Sequence, residues 1–174
     1  QNLRQLPASV RQATIRHGAP TSDRARSQTV FGNLFLHVHA TRVHPHSLRL
    51  TATWGLGRPA TDWNSAAERA ARAVLDAAPD ILIFVEGIQD NPSCSGPVPH
   101  WWGGNLEPLA CHPLAIPANR LVLSPHVYGP DVYDQPYFNA TDIPRNLPAI
   151  WDAHFGRFRA TGHVIAIGEA GGRY

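Results

Sequence analysis

Residues 81 to 85 read Ile-Leu-Ile-Phe-Val, an apolar run with no polar interruption. A strand with one wet face alternates apolar and polar side chains. An unbroken run of β-branched and aromatic residues instead buries both faces, which is the habit of parallel sheets. Parallel neighbours need crossover connections, usually helical, so this run alone directs the chain toward an α/β fold. The flanking sequence agrees. Trp63, Ala66, Ala67, Ala70, Ala71, Val74 and Ala78 recur at the spacing of one apolar helix face, with Thr61 or Asp62 placed to cap its start and Pro79 to end it. Leu121 to Ser124 predicts a second buried strand. A helix with Ile150, Trp151, Phe155 and Phe158 on its apolar side follows, and Val164 to Ile167 predicts a third strand. No internal repeat interrupts this alternation.

The 174 residues, 43% hydrophobic and 16% charged, suffice for one core. No apolar run approaches the roughly 18 residues of a membrane span, and no charged start leads into a hydrophobic stretch. The net charge is +2 and all fifteen basic residues are scattered Arg, so neither a membrane nor a nucleic-acid partner is expected. Met is absent, which reads as a processed form or a piece of a longer frame. Residues 1–50 hold one acid, Asp23, and no sustained period; their one apolar run, Val30 to Val38, is broken by Gly32 and Asn33. They are expected to form a poorly specified segment, separate from the ordered part at 51–174. Cys94 and Cys111 allow one internal pairing, and their spacing leaves a disulfide and two buried thiols equally open.

Each apolar run ends in polar residues: Glu86 after the first, His126 and Tyr128 after the second, Glu169 after the third. Parallel strands in a barrel bring such ends to one face, where these folds carry their sites. A carboxylate directly after a buried strand leaves the core at a pocket mouth, which singles out Glu169. Glu86 has the same placement, and a carboxylate there can equally orient neighbours or meet an Arg. His126 and Tyr128, two apart, face the same way on extended backbone and can hold a carboxylate ionised and oriented. Trp101 and Trp102, followed by Gly103-Gly104, cannot both face inward from an irregular loop, so at least one is expected to offer a flat face to a ligand, a sugar ring or another planar group. Trp54 and Trp63 are further aromatic faces, of which Trp63 fits the helix stripe and the core. His37, His39, His44 and His46 could present imidazoles to Zn²⁺ or Cu²⁺, but no Cys or acid accompanies them, so no metal and no cofactor is expected.

Six stretches together resemble the cellulases of glycoside hydrolase family 5, in the secreted endoglucanase branch. They are Thr53-Trp-Gly-Leu-Gly57 with Asp62-Trp-Asn64 and Ala67-Glu-Arg69, Leu82-Ile-Phe-Val-Glu-Gly87, Trp101-Trp-Gly-Gly-Asn-Leu106, Asn119-Arg-Leu-Val122 running into Ser124-Pro-His-Val-Tyr-Gly129, Leu147-Pro-Ala-Ile-Trp151, and Gly168-Glu-Ala-Gly-Gly172. The resemblance covers residues 51–174. It implies a TIM (β/α)8 barrel that cleaves β-1,4-glucosidic bonds with retention, using two glutamates about 5 to 5.5 Å apart. Glu169 stands at the nucleophile position. His126 and Tyr128 stand at substrate-binding and nucleophile-orienting positions, and Trp101 or Trp102 at a sugar platform. The implied partner is a β-glucan or cello-oligosaccharide, and export implies the Cys94 to Cys111 disulfide. Two features depart from the family. Its general acid sits in an Asn-Glu-Pro motif before the Ala-Thr-Trp-Gly stretch, where this chain reads Val43-His-Pro-His-Ser47, and no Glu occurs before Glu68. A closed barrel takes about 250 residues and at least about 200, so the chain holds an incomplete barrel, roughly strands four to seven. An out-of-frame or degenerate stretch upstream of Thr51 would explain the loss of both the pattern and the acid there. The expectation is a retaining endo-β-1,4-glucanase fragment lacking its acid; the alternative is a non-catalytic carbohydrate-binding protein that keeps the same groove.

Overall fold

The computed structural model describes residues 35–38, 52–58, 60–90, 94, 100 and 103–173, the first of these segments by its backbone. The helix expected from Thr61 onward is α1, Trp63–Ala77. Its buried residues Trp63, Ala67, Ala71 and Val74 fall on one face, and the last helical hydrogen bond, Ala78 N–H to Val74 O at 2.8 Å, comes just before Pro79. Asp62 precedes the helix but its side chain does not cap it. Instead the carboxylate accepts hydrogen bonds from the Thr53 hydroxyl and the Arg58 amide, which ties the helix start to the preceding loop.

A parallel sheet forms the framework. β1 (Phe35–Val38), β2 (Leu82–Val85), β3 (Leu121–Leu123) and β5 (Val164–Ile165) lie in the order β1-β2-β3-β5, every pairing parallel. A second parallel pair joins β4 (His126–Tyr128) to β6 (Glu169–Gly171). The expected strands at 121–124 and 164–167 are therefore each the first half of a longer, interrupted line. Pro125 has no amide for the ladder, so the line breaks there. The Ala166 amide to Leu123 O and the Gly168 amide to Pro125 O, both 2.9 Å, keep the two lines side by side across the gap. The result is a mixed α/β fold with a parallel sheet, as an incomplete barrel requires.

Ile83, Val85 and Leu123 are fully or almost fully buried in the sheet, against α1 on one side. The second helix, α2, is Leu147–His154, shorter than the expected apolar stripe. Phe155 leaves helical geometry, and Phe158 reaches the core from a 3-10 turn, Gly156–Thr161. The stripe faces the core as expected, but from two elements rather than one helix. Trp63 is buried as expected. Trp54 is a correction: it is wholly buried, its indole N–H donating to His112 O, and offers no face to a ligand. Cys94 and Cys111 are joined in a disulfide.

Candidate active site

Because the strands are parallel, the C-terminal ends of β2, β4 and β6 open on the same side of the sheet. Three of the singled-out residues meet there. His126 and Tyr128 project from the same face of β4, and Glu169 pairs with His126 in register. The Tyr128 hydroxyl donates to Oε2 of Glu169. Nδ1 of His126 lies 3.4 Å from the Tyr128 oxygen and 3.8 Å from that same Oε2. The Glu169 side chain keeps 47% of its surface exposed, whereas His126 keeps 3%. A hydrogen bond from a phenol to a carboxylate, with an imidazole behind it, fixes the direction of the carboxylate.

Glu86 has a different environment. It is fully buried, and its Oε2 lies 3.2 Å from Nε2 of His126, on the far side of the ring from Glu169. The indole N–H of Trp63 donates to the Glu86 carbonyl oxygen at 2.9 Å, so α1 holds the end of β2 in place.

Sequence reading missed Gly103. Its carbonyl accepts the amides of Gly87, at 2.8 Å, and His126, at 3.2 Å, which joins the segment after β2 to β4. Next to it, Ile88 and Asn105 exchange both amide hydrogen bonds at 2.9 Å. Gly103 has φ +78°, a left-handed conformation that glycine adopts without strain. The only sequence signal was the Gly103-Gly104 pair itself. Trp101 and Trp102 lie outside the described residues, as do the side chains of His37, His39, His44 and His46. Among the described residues no group of three or more His, Cys, Asp or Glu could hold a metal ion, and no helix is long and apolar enough to cross a membrane.

The model of the cellulases, glycosyl hydrolase family 5, matches residues 44–174. The chain belongs to this family. A family 5 assignment agrees with the relatives. Over 130 residues the chain is 61% identical to the major extracellular endoglucanase of Xanthomonas campestris pv. campestris, covering 75% of this chain and 26% of that protein. An endoglucanase of Paenibacillus polymyxa is 45% identical over 124 residues, covering 70% of this chain and 31% of that one. Among solved structures, the catalytic domain of the Xanthomonas enzyme superposes with a TM-score of 0.67 at 62% identity, over 71% of this chain and 36% of that one. A cellotetraose complex of the endocellulase from Pyrococcus horikoshii gives 0.66 at 54% identity, over 71% and 34%. The family 5 chain thus spans about a fifth to a third of the length of the curated relatives it matches.

Proposed function

We propose that this chain carries the nucleophile half of a retaining endo-β-1,4-glucanase acting on β-glucan or cello-oligosaccharide, and that it lacks the general acid. The observation that carries the reading is the half-exposed Glu169 carboxylate, fixed by the Tyr128 hydroxyl in front of His126 at the strand ends. In this role Glu169 attacks the anomeric carbon and forms a covalent glycosyl-enzyme, while a second carboxyl group protonates the leaving oxygen and later activates water. Tyr128 keeps the nucleophile ionised and aimed, and His126 lines the sugar site. Trp101 and Trp102 immediately precede Gly103, which lies against His126, and this supports their role as a sugar platform. A relative solved with cellotetraose supports the substrate class, and a relative named as extracellular supports export.

The second carboxyl group has no candidate among the residues argued above. Glu86 is sealed behind His126, and the family's acid position corresponds to His44 in this sequence. We further propose the division into a poorly specified segment at 1–50 and a partial barrel at 51–174, strands four to seven; Phe35–Val38 nevertheless contributes a strand to the same sheet. Loss of a positioned general acid typically costs about 10² to 10⁴ in rate. The chain is therefore expected to release no reducing sugar from carboxymethylcellulose above background. A complete barrel carrying Asn-Glu-Pro ahead of Thr51 should recover activity, and Glu169→Gln should abolish it again. Activity in the restored enzyme that survives Glu169→Gln would remove Glu169 from the nucleophile role.

A further inference from the structure

A carboxylate as deeply buried as that of Glu86 is costly unless a charge or a donor compensates it. It contributes nothing to catalysis directly, since no ligand can reach it. What it meets is the ring nitrogen of His126 that points away from Glu169, at 3.2 Å. A carboxylate oxygen and a bare imidazole nitrogen would turn lone pairs on each other at that distance, so a proton belongs between them. The approach is off the N–H axis, so the contact is a close polar one more than a directed hydrogen bond.

We propose that Glu86 is a positioning residue: it holds a proton on Nε2 of His126 and thereby sets the ring so that Nδ1 faces Tyr128 and Glu169. Gly103 packs closely against the Nδ1 edge of the ring; a methyl group on Gly103 would come within 2.5 Å of Nδ1, so the ring has little room to move there. The His126 amide is tied to Gly103 O, and the backbone of Glu86 is tied to Trp63, so both ends of the pair are fixed by independent elements. The order across the site is then Glu86, His126, Tyr128 and Glu169, with the two carboxylates on opposite sides of one imidazole. This assignment rests on the glucanase reading only for what the oriented ring serves; the pairing itself does not depend on it.

The test uses the whole 174-residue chain labelled with nitrogen-15 at histidine, with His126→Asn to assign the resonance. Long-range proton–nitrogen spectra near neutral pH are expected to find Nε2 of His126 protonated in the parent chain. Glu86→Leu, which keeps the bulk and removes the acceptor, is expected to lose that Nε2 signal, with the proton moving to Nδ1. Glu86→Gln, which keeps shape and an acceptor oxygen, is expected to retain it. A bare Nε2 in the parent overturns the proposal without any variant, as does an unchanged proton position in a folded Glu86→Leu. Cellotetraose added to the same samples tests the underlying reading separately. A parent chain that gives no response to the sugar counts against the glucan site, while the Nε2 signal still decides the role of Glu86.

Discussion

At Gly103 the backbone turns with φ +78°, and a Cβ placed there would stand 2.5 Å from Nδ1 and 2.9 Å from Cε1 of His126. Gly57 has nearly the same conformation, φ +70°, with nothing within 4 Å of the equivalent point. The pair separates two costs. Both substitutions to Ala pay for a left-handed residue, of order 1–2 kcal/mol, but only Gly103→Ala must also push aside a buried ring. That overpacking adds about 1–3 kcal/mol. Denaturant unfolding should therefore show Gly103→Ala less stable than Gly57→Ala by about that difference; equal losses would mean that His126 yields freely. Among the site residues, Glu169, His126 and Tyr128 were legible because each follows an apolar run in its own stretch of sequence. The burial of Glu86 was not, since it depends on His126, forty residues away along the chain. Gly103 was equally hidden, because its importance lies in a carbonyl and in a missing side chain, and neither leaves a chemical mark in sequence.

At the scale of elements, α2 carries a second histidine arrangement behind the site. His154, its last residue, stacks on His100 with ring centroids 4.0 Å apart and planes 11° from parallel. The Tyr137 hydroxyl lies 3.1 Å from Nδ1 of His100, and Oδ1 of Asn105 lies 3.3 Å from Nδ1 of His154. Gly104 fits between this stack and β4: a Cβ there would meet His100 at 2.6 Å and the His126 carbonyl at 2.7 Å. Burial pushes the His100 imidazole down to about 2, with the neighbouring His154 adding to the shift. Burial likewise pushes His154 down to about 4, with Arg157 adding. Glu107 stands 3.8 Å from His154, beyond hydrogen-bonding distance, and does not reverse the effect. Both rings are thus neutral when folded and take up protons more readily when unfolded. Their contribution to stability is complete above the ordinary histidine value of 6.5 and is lost as pH falls below it. Between about 6.5 and 4, replacing His154 by Phe should remove one proton from this linkage. The slope of unfolding free energy against pH should fall by about 1.4 kcal/mol per pH unit. An unchanged slope would mean that His154 is already charged in the folded protein. The elements themselves were readable where a local pattern decides them. The stripe of α1 and the run of β2 are continuous in sequence, and both appear within a residue or so of the expected limits. The break after Leu123 is marked by Pro125, whereas the break after Ile165 and the early end of α2 depend on neighbouring strands and on packing across the core, which periodicity does not encode.

Among the described residues, the strand ends that carry Glu86, His126, Tyr128 and Glu169 open on one side, and the family match covers all four residues. The parallel architecture was legible from apolar runs alone. The proposed identity of the site rests on motifs in their order, since a strand-end carboxylate by itself serves many chemistries. Glu169 is proposed as the nucleophile, in a chain that lacks both the general acid and a complete barrel. A 2,4-dinitrophenyl 2-deoxy-2-fluoro-β-cellobioside tests this directly, because its leaving group departs without protonation and the fluorosugar slows hydrolysis of the glycosyl-enzyme. Mass spectrometry of the treated chain should find one fluorocellobiosyl group, on the peptide containing Glu169, and none in Glu169→Gln. A label on any other residue, or an unlabelled Glu169 in the folded parent chain, would contradict the account.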